Sequence, residues 1–204
     1  YERNMKKLIS LIAVVTSFLF LGCGSESSSV PAVKETYKEG DKVEIKSVSG
    51  AKLTLLRKNG GFVLEDDENK VVLIDIFGTF CVPCQEEAPS LMDFQLQNSD
   101  DVMLIGLNYF EEVSDEYVVE NFAAKYNAYY FITNSPKNKK IVETIVQDIA
   151  YKGTLQVPFK VVLKDGKYQK VTDIYNPSNV ENKFYIGKVG LDIIQKDIDK
   201  LTAK

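Results

Sequence analysis

Two stretches of almost uninterrupted apolar residues stand out in the hydrophobic pattern. They are rich in β-branched side chains and run over 71–77 and 102–108. Strands that are buried on both faces have this continuous pattern, whereas strands with one wet face alternate between apolar and polar residues. The sequence therefore predicts two central strands, Val71–Phe77 and Val102–Asn108.

Apolar residues at helical spacing predict helices around these strands. One helix is expected over 83–96, with an interruption at Pro89, and Ser114 is the expected N-cap of another. Two further apolar stripes lie over 141–149 and 191–201. Because buried strands alternate with helices, the chain is expected to form an α/β fold, with a central β-sheet flanked by helices.

Shorter apolar runs separated by turn residues predict additional strands. Several lie between 42 and 64 and are expected to form an N-terminal β-hairpin extension. A short strand is expected over 129–132. A second hairpin is expected from 159–163, through the turn Lys164-Asp165-Gly166, into a strand over 168–174.

The amino-terminal region has the pattern of a secretory signal. Lys6 and Lys7 precede an uncharged apolar run over 8–21. This run is shorter than the roughly 20 residues that span a membrane, so we expect a signal peptide over 1–22. Residues 1–4 precede a candidate initiator Met5, so we expect them to be a start-site artefact.

The end of the signal, Leu21-Gly22-Cys23, resembles the lipobox of bacterial lipoproteins, although Phe20 departs from the usual Leu, Val or Ile. That resemblance implies cleavage before Cys23 and lipidation of its sulfur. The alternative is a cysteine that merely ends a signal region or an uncleaved anchor. We expect a flexible tether over 23–41 and a folded domain over 42–204.

Composition and charge exclude several classes of protein. The 45% hydrophobic content is that of a globular chain, and the net charge of −4 without a basic stripe argues against a nucleic-acid partner. The chain has no histidine, which excludes Ser-His-Asp and Cys-His sites and zinc sites with histidine ligands. Its three cysteines are too few for a disulfide scaffold.

Cys81 and Cys84 carry the candidate chemistry, since they lie between the first predicted central strand and the helix after it. In a helical turn this spacing brings two sulfurs within bonding distance. Backbone N–H groups at the helix start favour a thiolate on Cys81, so we expect Cys81 to attack a disulfide and Cys84 to resolve the mixed disulfide.

The cysteine pair has three other possible interpretations. Half of a zinc site would lack a second half, so no metal is expected, and no cofactor is expected either. A static structural disulfide is a second alternative. A peroxidatic site fits poorly, because Asp75 and Gly78 stand where that motif has Pro and Thr.

Together these motifs resemble the thioredoxin-like superfamily, in particular its TlpA/ResA-like membrane-tethered branch, over roughly 42–201. The branch has an aromatic residue before the first Cys, Pro before the second, and Glu and Pro downstream. An Asp beneath the active site and a cis-Pro before a strand complete the pattern. The matching residues are Phe80, Pro83, Glu87, Pro89, Asp75 and Val157-Pro158.

The resemblance also concerns the middle of the chain. About 73 residues lie between Cys84 and Pro158, more than in plain thioredoxin. The additional part resembles the helix and strand inserted in the TlpA-like branch. The chain departs from the family in having no Trp, because Phe77 and Phe80 occupy the usual Trp positions.

The resemblance assigns roles to residues around the cysteines. Asp75 is expected to be a buried proton acceptor for Cys84, the alternative being an Asp that reaches a loop or water. Glu87 is either a base or water-relay residue, or a solvated acid near the helix start. Val157 and a cis-Pro158, with Val82 and Pro83, are the expected substrate-binding residues.

The function implied is an extracytoplasmic thiol–disulfide oxidoreductase, lipid-anchored to a bacterial membrane and facing the periplasm. Val82-Pro83 supplies no cation and two glutamates, Glu86 and Glu87, follow, which favours a reductase. The resemblance suggests protein disulfides such as apocytochrome c as substrates and a membrane donor of the DsbD type. The alternatives are a thiol oxidant or isomerase, and a non-catalytic lipoprotein binding module with a structural disulfide.

Overall fold

The structure is a computed structural model that describes residues 35–202. The predicted signal peptide, the predicted lipidation site Cys23 and most of the predicted tether lie outside the described residues. Within the described part, no helix has the length and apolar character that crossing a membrane requires.

Three short antiparallel strands open the described part. They are β1 (Lys42–Lys46), β2 (Lys52–Lys58) and β3 (Gly61–Leu64), hydrogen-bonded in that order. In β1 the apolar residues Val43 and Ile45 point into the core while the charged residues between them are exposed, as alternation predicts. The predicted hairpin extension is thus a three-stranded sheet, and its first strand begins at the predicted domain boundary.

The main sheet is mixed. Its strands are β4 (Val71–Phe77), β5 (Val102–Asn108), β6 (Phe131–Thr133), β7 (Phe159–Lys164), β8 (Lys167–Tyr168) and β9 (Tyr185–Ile186). The order is β6-β5-β4-β7-β8, and β9 pairs with β7. Strand β4 is parallel to β5 and antiparallel to β7. Both predicted central strands are present with the predicted bounds.

Helices cover both faces of this sheet. They are α1 (Val82–Gln97), α2 (Asp115–Val118, continuing as a π-helical segment over Val119–Ala123), α3 (Lys137–Asp148) and α4 (Leu191–Thr202). One face packs against α1, α2 and α4, and the other packs against α3 and the three-stranded sheet. The predicted fold class, a central mixed sheet flanked by helices, is confirmed.

The predicted strand over 168–174 is wrong in extent. Strand β8 has two residues, and β9 pairs with the opposite end of β7. The backbone N–H of Val171 donates to the carbonyl of Asn182, and that of Thr172 donates to Asp197 in α4. These donors are therefore committed to partners outside β7, so the chain leaves the sheet.

Strand β6 and helix α3 lie between α1 and β7 in sequence, where additional elements were expected. The strand is parallel to β5 and forms an edge of the main sheet. A bridge between Ser47 and Thr133 joins its end to the segment that follows β1.

Candidate functional site

Cys81 and Cys84 form a disulfide at the start of α1. Cys81 is the N-cap residue, and its sulfur accepts a hydrogen bond from the backbone N–H of Cys84 at 3.3 Å. The Cys81 side is the more accessible, although the two residues are only 6% and 1% exposed. Both cysteines are thus largely buried in the disulfide form, and Cys84 is the more shielded of the two.

The loop before Cys81 is fixed by contacts from distant residues. The carboxylate of Glu111 accepts hydrogen bonds from the Thr79 backbone N–H at 2.5 Å and the Thr79 hydroxyl at 2.8 Å. Gln85 in α1 donates to the Thr79 carbonyl at 2.6 Å. Sequence reasoning missed Glu111, because an acid in a loop 32 residues from Thr79 leaves no local signal.

Pro158 follows a cis peptide bond from Val157, as expected. Phe159 pairs with Ile76 in the antiparallel β4–β7 ladder, so Pro158 lies opposite Phe77, at the point where β4 enters the cysteine loop. The Pro158 carbonyl accepts a hydrogen bond from Gly187 at 2.8 Å. The cis-proline and the cysteine loop are thus neighbours.

Apolar side chains beside the disulfide are exposed to solvent. Phe80, directly before Cys81, is 59% exposed, and Val82, directly after it, is 58% exposed. Pro83 is exposed as well. The predicted substrate-binding residues around the cysteines therefore lie at the surface.

A charged cluster lies beneath the helix that carries the cysteines. Lys160 of β7 has its ammonium 3.4 Å from Asp75 Oδ1 of β4, and it donates a hydrogen bond to Glu87 of α1. All three side chains are buried. Glu87 lies on the same face of α1 as Cys84, one helical turn away, and both face the sheet.

Asp75 is on the cysteine side of the sheet. Leu73 and Phe77, two positions before and after it in β4, pack in one core with Cys84. Because side chains alternate along a strand, Asp75 faces that core as well. The predicted buried position of Asp75 is present, and the alternative of an Asp that reaches water does not fit a side chain that is 1% exposed.

Burial and mutual charge alter the acidity of these groups. Burial raises the pKa of Asp75, against the opposing charge of Lys160. Burial also raises the pKa of Glu87 to about 7, again against Lys160 and with a smaller contribution from Asp75. Burial alone would lower the pKa of Lys160, but the two carboxylates together raise it above its usual value.

Sequence reasoning missed Lys160. Its signal was present, because it is the one charged residue in the apolar run 159–163 of a predicted strand. A lysine in such a run needs a buried counter-charge. Of the two interpretations of Glu87, the solvated acid does not fit, since Glu87 is buried against Lys160.

A second sequence expectation about charge also needs correction. Glu86 and Glu87 were expected to oppose a thiolate on Cys81. Glu86 is exposed and lies 2.9 Å from Lys188, and Glu87 is paired with Lys160. Both negative charges have a neighbouring cation, so their effect on Cys81 is weaker than the sequence implied.

No family model matches the chain. The chain is similar to the thioredoxin-like protein YneN of Bacillus subtilis, with 26% identity over 121 residues. The similarity covers 59% of this chain and 64% of YneN, so the chain spans somewhat less than two thirds of that relative.

Solved structures are similar over most of the described fold. StoA from Bacillus subtilis has 15% identity and a TM-score of 0.51, covering 78% of this chain and 97% of StoA. A thiol:disulfide interchange protein of the thioredoxin family from Chlorobium tepidum has 15% identity and a TM-score of 0.50, covering 82% and 94%. The chain has a thioredoxin-like fold.

A third thioredoxin-like structure agrees with this assignment. A candidate protein disulfide isomerase from Bacteroides thetaiotaomicron has 20% identity and a TM-score of 0.53, covering 83% of this chain and 92% of that protein. Within the thioredoxin-like fold, the cysteine pair lies after a central strand and at the start of a helix. This chain therefore joins a thioredoxin-like fold to cysteines with the spacing of a thiol–disulfide oxidoreductase.

Proposed function

We propose that the protein is an extracytoplasmic thiol–disulfide oxidoreductase that reduces disulfides in other proteins. The main support is the position of the Cys81–Cys84 disulfide, at the helix start and beside the cis-proline. It lies above the buried cluster of Asp75, Glu87 and Lys160, in which burial raises the pKa of Glu87 to about 7. A disulfide that served only as a staple would need neither neighbour.

The reaction begins with the reduced protein. The Cys81 thiolate attacks one sulfur of a substrate disulfide, forms a mixed disulfide and releases the other substrate sulfur as a thiolate. Cys84 then loses its proton and attacks the Cys81 sulfur. The Cys81–Cys84 disulfide forms, the bond to the substrate breaks, and the substrate leaves with both of its sulfurs reduced.

The helix start favours Cys81 as the attacking residue. Its sulfur accepts the Cys84 backbone N–H, a contact that stabilises negative charge on that sulfur. Cys84 is shielded and packs in the core that Asp75 also faces. In this proposal Asp75 accepts the Cys84 proton when the mixed disulfide is resolved.

Exposed apolar side chains provide a place for the substrate. Phe80, Val82 and Pro83 are exposed and adjoin the cysteines in the chain. Val157 is half-buried next to the cis-Pro158, where an extended chain can lie along the cysteine loop. A protein segment in extended conformation is the proposed substrate class.

The proposed direction is reduction. Val82 and Pro83 bring no cation between the cysteines, and the described part of the chain has no histidine to stabilise a thiolate. Apocytochrome c and other periplasmic disulfides are the proposed substrates, and a membrane protein of the DsbD type is the proposed electron donor. Lipidation of Cys23 is the proposed anchor.

A thiol oxidant is the second candidate. It is favoured by the hydrogen bond from Cys84 to the Cys81 sulfur and by the cations beside Glu86 and Glu87. Each of these stabilises the thiolate relative to what the sequence alone implied. A more stable thiolate makes a dithiol pair more oxidising.

Two measurements test the proposal. The protein should catalyse insulin reduction by dithiothreitol, and Cys81→Ser should abolish that catalysis, because it removes the attacking sulfur. No catalysis by the wild type would indicate a binding module. A reduction potential near about −270 mV would support a reductase, and one near about −120 mV would support the oxidant.

A further inference from the structure

The chain between β8 and β9 includes a loop over 172–181 that is ordered by its own contacts. At the base of this loop, the backbone N–H of Val171 donates to the carbonyl of Asn182 at 2.8 Å. Within the loop, the Asp173 carboxylate accepts the backbone N–H of Tyr175 at 3.0 Å. Because these contacts already fix the backbone around Tyr175, little backbone entropy is lost when its side chain binds a partner.

The side chain of Tyr175 lies beside the cis-proline. An added Cβ at Gly187 would come within 3.0 Å of the Tyr175 hydroxyl oxygen, so the tip of the tyrosine adjoins this glycine. The backbone N–H of Gly187 donates to the Pro158 carbonyl at 2.8 Å. Gly187 therefore adjoins both Tyr175 and the cis-proline, and the loop over 172–181 borders the redox site.

A second exposed aromatic side chain lies against a glycine of the cysteine loop. An added Cβ at Gly78 would come within 2.6 Å of the ring of Phe80, so this ring rests on the backbone of Gly78. Phe80 is exposed, and Tyr175 is 71% exposed. One exposed aromatic side chain is thus presented at the cysteine loop and another at the cis-proline.

The charged side chain next to Gly187 is neutralised by α1. Lys188 lies 2.9 Å from Glu86, near the start of the helix that carries the cysteines. This ion pair places the backbone that adjoins Tyr175 beside that helix. Since the pair has no net charge, a substrate that reaches Tyr175 is expected to be recognised there by apolar contact rather than by charge.

We propose that Tyr175 is a specificity-determining residue, which binds an apolar side chain next to the reacting cysteine of the substrate protein. This role rests on the proposed function, in which an extended segment lies along the cis-proline. Because Tyr175 and Pro158 adjoin the same glycine, a segment in that position brings a neighbouring side chain to the tyrosine. The ring offers that side chain a flat apolar face, while the exchange of disulfides stays with the cysteines.

The proposal predicts a loss of selectivity without a loss of chemistry. Tyr175→Ala should react about tenfold more slowly with a peptide that carries the preferred apolar residue, and should react normally with a peptide that lacks it. Tyr175→Phe should keep most of the selectivity, because it keeps the ring. A small aromatic disulfide has no neighbouring residues, so its reaction should be equal in all three proteins.

The probes are short peptides of glycine and serine with one cysteine, joined through its sulfur to a coloured aromatic thiol. The Cys81 thiolate attacks the peptide sulfur, the new disulfide forms, and the aromatic thiolate leaves because it is the better leaving group. Rapid mixing with the reduced protein measures the rate of colour release. One Phe is then moved through the peptide, a position at a time, on either side of the cysteine.

The matched control is Tyr129→Ala. Tyr129 is also an exposed tyrosine, with 60% of its surface accessible. It precedes β6, which runs parallel to β5 and β4, so it lies towards the sheet edge opposite the cysteine loop. At one Phe position or more, the wild type and Tyr129→Ala should react about tenfold faster than with the Phe-free peptide, and Tyr175→Ala should lose this advantage.

The outcomes separate the role of Tyr175 from the proposed function. No reaction of the wild type with the peptides or the small disulfide would overturn both. Normal reaction without any preference for Phe, or with a preference that Tyr175→Ala retains, would overturn the role of Tyr175 alone. A slower reaction of Tyr175→Ala with the small disulfide would also contradict it, since the site itself would then be altered.

Sedimentation of the wild type and Tyr175→Ala tests the other occupant of this surface, a second copy of the chain. Both proteins should sediment alike. A wild-type dimer that becomes a monomer in Tyr175→Ala would assign Tyr175 to self-association and contradict the proposal.

Discussion

Asp75 shows how far a single residue could be interpreted from sequence. Asp75 is the one charged residue in an otherwise apolar strand that is buried on both faces, so the sequence predicted that its side chain is buried. The sequence analysis did not identify its counter-charge, Lys160, which lies 3.4 Å away. Lys160 comes from a strand about 85 residues later, and only the antiparallel register of β4 and β7 brings the two together.

The role of Asp75 can be tested by Asp75→Asn. Resolution of the mixed disulfide should slow by about 10²-fold near neutral pH, because Cys84 loses its proton acceptor. The effect should fade as the pH rises, since the thiol then ionises unaided. Single-turnover reduction of a peptide disulfide from about pH 6 to 10 measures this, and a rate equal to that of the wild type throughout would assign the proton to another group.

The raised pKa of Glu87 predicts how the stability of the folded protein depends on pH. Its pKa rises from 4.5 to about 7 on folding, so between these values the folded state binds more protons than the unfolded state. This group therefore makes the free energy of unfolding decrease as the pH rises from about 4.5 to 7, by roughly 3 kcal/mol at most.

Glu87→Gln should remove most of that decrease. Urea unfolding of the oxidised protein at a series of pH values compares the two slopes, with Glu86→Gln as the control. Glu86 is exposed and paired only at the surface, so its substitution should leave the slope unchanged. Equal slopes for Glu87→Gln and the wild type would show that Glu87 does not titrate in this range.

The elements differ in how well their patterns predicted them. Strands β4 and β5 have the predicted bounds because both of their faces are buried, which leaves a continuous apolar run. The strand expected over 168–174 is mostly absent, because Asp197 draws the backbone of Thr172 towards α4. A contact made by a side chain 25 residues away has no trace in local hydrophobicity.

The loop between β4 and α1 depends on a similar distant contact, and it gives a third prediction. Glu111→Ala removes both acceptors of Thr79, so the free energy of unfolding should fall by about 1–3 kcal/mol. Glu111→Gln should cost less, because its amide oxygen can still accept the Thr79 N–H. Urea unfolding of both variants measures this, and an equal loss in the two would show that the Thr79 contacts are not what Glu111 contributes.

The order of strands in the whole molecule was beyond what the sequence could specify. The pattern indicated buried strands and helices, but not that β6 would pair at the β5 edge or that Ser47 would bridge to Thr133. Such pairings depend on which edges are free once the other elements have packed. The hydrophobic pattern predicted the individual strands and helices, whereas the thioredoxin-like arrangement of those elements was predicted from the resemblance to a family.

The proposed attachment to a membrane is a property of the whole chain. Cys23→Ala should release the protein from the membrane fraction or block its processing, because it removes the sulfur to which the lipid would be attached. Fractionation of cells that express the full chain measures this, with Cys84→Ala as a matched cysteine control. Normal processing and retention of the Cys23→Ala protein would contradict lipidation.

Trapping of the mixed disulfide tests most directly whether Cys81 and Cys84 form a working redox pair. In Cys84→Ala, Cys81 can attack a substrate but cannot be released, so stable adducts with other proteins should accumulate and be identified by mass spectrometry. The mirror variant Cys81→Ala should trap far less, because its remaining sulfur is shielded. Reducible adducts through Cys81 in the first variant are the predicted result, and their absence, or equal trapping by both variants, would contradict it.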